Sequence, residues 1–154
     1  MTDSHVIIDR NSIENYIARL HEFARVIAEV KVCVIDDRDH GVVPLDFIIE
    51  KAIIGMRAFT RGGAKDNPLV VTFVDKLEEL KDIDASQRVA LSVEAENVVA
   101  TIILPPYAEM IAMFEKLRPI SNHNAGIWRL PNGDNIYQLK LRSNTFTSLT
   151  ADET

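Results

Sequence analysis

The chain has 154 residues, 47% hydrophobic and 26% charged, with a formal net charge of −6; these are ordinary globular values and exclude a disordered polyelectrolyte. A length of this order suits a single domain over 1–154, ending in a polar tail at about 150–154. The acidic balance gives no long-range attraction to nucleic acid, although Lys116 to Arg142 holds five basic residues against one acid.

The single cysteine, Cys33, cannot form an internal disulfide and sits in an apolar run, where it reads as core. The opening MTDSHVIIDR lacks a basic stretch followed by a long apolar one, and no uninterrupted apolar run reaches membrane-spanning length. A cytoplasmic protein with no membrane contact is expected.

In chain order, HVII (5 to 8) reads as a short strand. A helix starts at Asn11, with Glu14 at the capping-box position, and carries Ile13, Tyr16, Ile17, Leu20, Phe23, Ala24, Ile27 and Val30 at helical spacing. KVCVI (31 to 35) is rich in β-branched residues and reads as a strand. Pro44 suits the first turn of a second helix, which ends near Arg61-Gly62-Gly63. Its main stripe includes Ile49, Ile53 and Met56, while Phe47 and Ile54 add apolar bulk on another side, where a second subunit is expected to cover it.

PLVVTFV (68 to 74) reads as a buried strand, followed by a short helix capped by Asp75 with Glu78 at the box position. RVALSVEA (88 to 95) and NVVATIIL (97 to 104) read as a hairpin. A third main helix begins at Pro105-Pro106 and turns Tyr107, Met110, Ile111, Phe114 and Leu117 inward. GIWRL and NIYQLKLR, around Pro131-Asn132-Gly133, read as a second hairpin, with TFTSLT (145 to 150) as an edge strand. The expected fold is α+β: a single domain with a mixed, mostly antiparallel sheet, three main helices and one short helix.

Three places could carry function. Asp36 and Asp37 in VCVIDDRDHG, with Asp75, would lie at carboxyl ends of neighbouring strands and could hold Mg or Mn for a divalent-metal-dependent hydrolase. The same aspartates also suit a solvated turn and a helix cap, which is the reading preferred here. Trp128, Arg129, Gln138, Lys140 and Arg142 form an aromatic-basic group; a two-residue Asn132-Gly133 turn would put Trp128 in the core opposite Tyr137, whereas a three-residue loop, favoured by Pro131, would put it on the face with Gln138, Lys140 and Arg142. Such a group could anchor a protein partner, or stack a nucleotide or hold another small anion.

The glycines of RAFTRGGAKDNP (57 to 68) follow a helix rather than precede one, so they do not cradle a phosphate. His5, His21, His40 and His123 show no zinc spacing, SNHNAG (121 to 126) is a polar loop next to the hairpin, and no resident cofactor is indicated. The leading expectation is a non-catalytic binding or adaptor domain that self-associates and acts through protein–protein contacts, with Trp128 as anchor.

Overall fold

The computed structural model describes residues 6–145, 149, 150 and 153. Among them there is no strand: the chain folds as six α-helices joined by turns, so the expected mixed sheet of an α+β domain is corrected to an all-helical architecture.

Helix α1 spans Arg10–Asp39 and is about 45 Å long at 1.5 Å per residue. Its start is a capping box: the Asp9 carboxylate accepts the Ser12 N–H at 2.8 Å, and the Ser12 hydroxyl accepts the Asp9 N–H at 3.0 Å. Asn11, the expected cap, lies inside the first turn. The helix ends in a Schellman motif, with the Gly41 N–H donating to the Arg38 carbonyl at 2.9 Å and the Val42 N–H to that of Asp37 at 2.8 Å. Gly41 has φ +79°, a region where a side chain is strained.

The expected strand 31–35 is therefore helix. Its β-branched residues cost about 0.5 kcal/mol each relative to alanine, no glycine or proline interrupts the chain before Gly41, and Val34 gains contact with a buried cluster. Cys33, expected in the core, is exposed on α1. Val6 to Ile8 are not in a strand, and His5 lies outside the described residues.

Helix α2 spans Asp46–Thr60 and buries Ile49 and Ile53. Helix α3 spans Pro68–Glu79, where a buried strand is expected from PLVVTFV. Local signals favour the helix. Pro68 occupies the first helical position, where its missing N–H costs nothing, and Asn67 caps the Leu69 N–H at 3.0 Å. Leu69, Val70, Phe73 and Leu77 then share one buried face.

Helix α4 spans Ala85–Val98 and opens with a second capping box, Asp84 with Gln87. It passes through a π-helical turn, Val99–Ile103, into helix α5, Leu104–Leu117, and a 3-10 turn completes one continuous helix, Ala85–Ile120. The expected 88–104 hairpin thus becomes helix. Pro105 and Pro106 lack the N–H groups that the carbonyls of Thr101 and Ile102 would otherwise receive, and the chain widens here, with the Leu104 N–H reaching back to the Val99 carbonyl. By length and composition Ala85–Ile120 is apolar enough to cross a membrane, its most apolar 18-residue stretch having a mean hydropathy of 1.4. In this fold it is the central helix.

One buried cluster joins Ile13, Tyr16, Ile17 and Leu20 of α1 to Leu69, Val70, Phe73 and Leu77 of α3, and to Ala95, Val98, Val99 and Ile103 of the central helix. A second joins Ile49 and Ile53 of α2 to Leu117 of α5, flanked by Val34 of α1. The chain continues through a 3-10 turn, Ile127–Arg129, into helix α6, Gly133–Thr145. The expected hairpin there is corrected accordingly. The expected edge strand at 145 to 150 falls partly outside the described residues, because 146–148 are not among them.

Asn67 is buried and bonds two helices at once, since its Nδ2 also donates to the Phe59 carbonyl of α2 at 2.9 Å. Asn67→Ala removes a cap and leaves that carbonyl unpaired. We expect a loss of about 2 kcal/mol in urea denaturation at an unchanged m-value.

Candidate functional site

The structure separates the three aspartates of the expected metal site. Asp36 and Asp37 are exposed on the last turn of α1, and Asp75 is exposed within α3 rather than at its cap. The Tyr16 ring stacks on Phe73, two residues before Asp75 in the chain, which holds α3 beside the first part of α1. Asp36 lies twenty residues beyond Tyr16, roughly 30 Å along the helix. Among the described residues no group of three or more acidic, histidine or cysteine side chains could hold a metal ion. Among the described residues there are no sheet ends to gather these carboxylates.

What the acidic stretch does locally is finish a helix. Arg38 pairs with Asp39 at 2.7 Å, and His40 Nδ1 lies 2.8 Å from the Asp36 carbonyl and 3.5 Å from its carboxylate. The carbonyl bond first, and the Asp36 charge second, raise the His40 pKa above 6.5. A histidine raised on folding stabilises most below its unfolded pKa, and that contribution fades as pH climbs through the folded value. Between roughly pH 6 and 8, His40→Gln should flatten the fall in thermal midpoint expected of the parent protein, with the circular dichroism spectrum unchanged.

The aromatic-basic group is also rearranged. Trp128 is 68% exposed on the 3-10 turn before α6. The Arg129 guanidinium donates to the Val43 carbonyl at 2.8 Å, tying that turn to the connection between α1 and α2. Gln138, Lys140 and Arg142 would share one face in a strand of period two. At 100° per residue on α6 they diverge, with Lys140 on the side of Gly133 and the other two turned away. The expected shared face of Trp128, Gln138, Lys140 and Arg142 is therefore not formed.

Asn132 takes φ +62° and Gly133 then starts α6, so Asn132-Gly133 initiates a helix instead of a hairpin. A Cβ on Gly133 would overlap the Ile127 carbonyl oxygen and the Trp128 backbone. Gly133→Ala should displace that turn. Amide resonances of 126 to 137 are expected to shift in NMR spectra while those of α3 and α4 stay in place.

His123 is dispersed from other polar ligands in sequence, yet the fold brings its Nδ1 to 2.9 Å from the Asp46 carboxylate, across 77 positions. Its ring also meets Phe47 edge-on at 5.2 Å, and the Asp46 N–H donates to the Asn122 carbonyl at 3.2 Å. This pair latches the 121–126 loop to the start of α2. No local spacing could have signalled it.

The surface best suited to contact lies on the outer side of α3 and α4. Val89 is 64% exposed and Val93, one turn on, is 51% exposed; both line a shallow groove with Val74 of α3. Val71, one turn before Val74, is exposed too. Lys65, Arg88, Glu78 and Glu96 ring this apolar seam with both signs of charge. Apolar centre and polar rim are the usual division of a protein contact surface. In sequence the signal was the spacing of Val89 and Val93, which a strand reading hides.

The family model described as "Bacterial protein of unknown function (DUF885)" matches residues 1–154. No curated protein matches the chain. Among solved structures, a "putative lipoprotein" from Colwellia psychrerythraea is similar, with a TM-score of 0.86 and 23% sequence identity, covering 97% of this chain. The chain spans only 26% of that protein's length. The likeness shows the fold and agrees with the all-helical correction. The lipoprotein description belongs to that protein, and it lends no support to the expected cytoplasmic setting.

Proposed function

The chain belongs to the DUF885 family of bacterial proteins of unknown function, and on that premise we propose that it is a non-catalytic helical module acting through polypeptide contacts. The observation that carries this reading is the uncovered seam between α3 and α4. Exposed Val71, Val89 and Val93 lie along adjacent helices, whose ridges leave a groove able to take the side chains of a further helix. Where the chain stands alone, that helix comes from a second copy. The mixed-sign rim of Lys65, Glu78, Arg88 and Glu96 can pair with itself across a two-fold axis, as a self-complementary interface requires. The description of the similar structure as a lipoprotein supports placing this contact at the bacterial envelope.

Native mass spectrometry and light scattering up to roughly 100 µM should show a dimer. Val89→Asp with Val93→Asp should weaken it at least about tenfold, while helical content persists because both side chains are exposed. A parent protein that stays monomeric over this range would remove the self-association reading.

A further inference from the structure

A second concavity lies away from the seam, where the start of α1 meets the α3–α4 connection and the first turns of α4. Its volume is about 510 Å³, within the roughly 300–1,000 Å³ span of small-molecule sites. Ile13, Leu80, Ile83 and Leu91 make an apolar lining. Around it stand Asp9, Glu14, Asp82 and Glu94, against Arg10 as the single base among the described residues. Arg10 is itself paired with Glu14 at 3.4 Å, and Asp9 is occupied by its capping bonds. Among the described residues Asp82 and Glu94 have no ion-pair partner, so their charges remain available.

We infer that this groove binds a small primary ammonium carrying a compact apolar body. Each part of the lining narrows the choice. An apolar floor strips water without replacing it, which disfavours a hydrated metal ion, and the carboxylates do not gather into a chelating set. The negative rim repels carboxylates and phosphates. Among the described residues no aromatic ring lines the groove, so a quaternary ammonium would find no π face there, whereas a primary ammonium can donate hydrogen bonds to Asp82 and Glu94. The N-terminal ends of α1 and α4 carry partial positive charge that opposes a cation, and the Asp9 and Asp84 caps offset it.

The test is an NMR titration of the full chain with phenethylammonium, following the methyl groups of Ile13, Ile83 and Leu91. These should shift, and phenethyl alcohol, 3-phenylpropionate and phenethyltrimethylammonium should each bind at least about tenfold more weakly. Ala90→Trp, at an exposed groove position, should block binding by filling the space. Asp82→Asn with Glu94→Gln should remove the preference for the ammonium over the alcohol while leaving the fold untouched. Equal binding of the alcohol, shifts confined to other regions, or undiminished binding to Ala90→Trp would overturn the inference. So would a lysine-leucine peptide that shifts these methyl groups when phenethylammonium does not.

Discussion

The Tyr16–Phe73 pair is the contact on which the rest of this fold depends. The two rings stack at 4.8 Å between centroids with planes 9° apart, and the Tyr16 hydroxyl donates to the Leu69 carbonyl at 2.8 Å. One side chain thus joins α1 to α3 through both an apolar face and a polar tip. Burying rings of this size contributes on the order of 2–3 kcal/mol each. Burial also pushes the Tyr16 pKa up to about 12, so the hydroxyl remains a donor through the physiological range. With α1 and α3 held together, Ala95, Val99 and Ile103 have a surface to pack against, and the central helix takes its place.

That central helix needs the second constraint, its π-helical turn. A proline pair inside a regular helix would leave two carbonyls without donors and force a kink or a break. Here the widened turn at Val99–Ile103 absorbs the mismatch while Val99 and Ile103 stay fully buried. The helix therefore continues as α5, where Leu117 meets Ile49 and Ile53 of α2. A single element links both buried clusters, and α1 touches each of them, Leu20 in the first and Val34 in the second.

The surfaces follow from this economy of contact. The central helix and the second half of α1 are apolar on more sides than α1, α2 and α3 can cover, leaving Val26, Val30, Val89 and Val93 exposed. The α3–α4 seam and the acidic groove are different results of the same geometry. The seam runs between α4 and α3, and the groove lies where α4 meets the start of α1 and the α3–α4 connection. They differ in their rims: one carries both signs of charge and the other is almost wholly acidic. The proposed self-association uses the first, and the proposed ammonium ligand the second.

By itself the sequence determined composition, charge, the register of α1 through Leu20, most of α2, and the inward stripe of α5. Those segments carry a 3.6-residue period, although the cap of α1 is Asp9 rather than Asn11 and α5 continues from α4 instead of starting at Pro105-Pro106. The β-branched runs at 31–35, 68–74 and 88–104 were decided only in the tertiary structure. Their residues favour either geometry by a few tenths of a kcal/mol per position, less than a buried contact contributes. The Pro68 and Asp84 signals were present in the chain, but their weight emerged only beside a packed partner. The same holds for the sites. The aspartates, Trp128 and the basic residues were visible as types, whereas which of them meet, as His123 and Asp46 do and Asp36 and Asp75 do not, depends on distances that helices set at 1.5 Å per residue and strands at more than twice that.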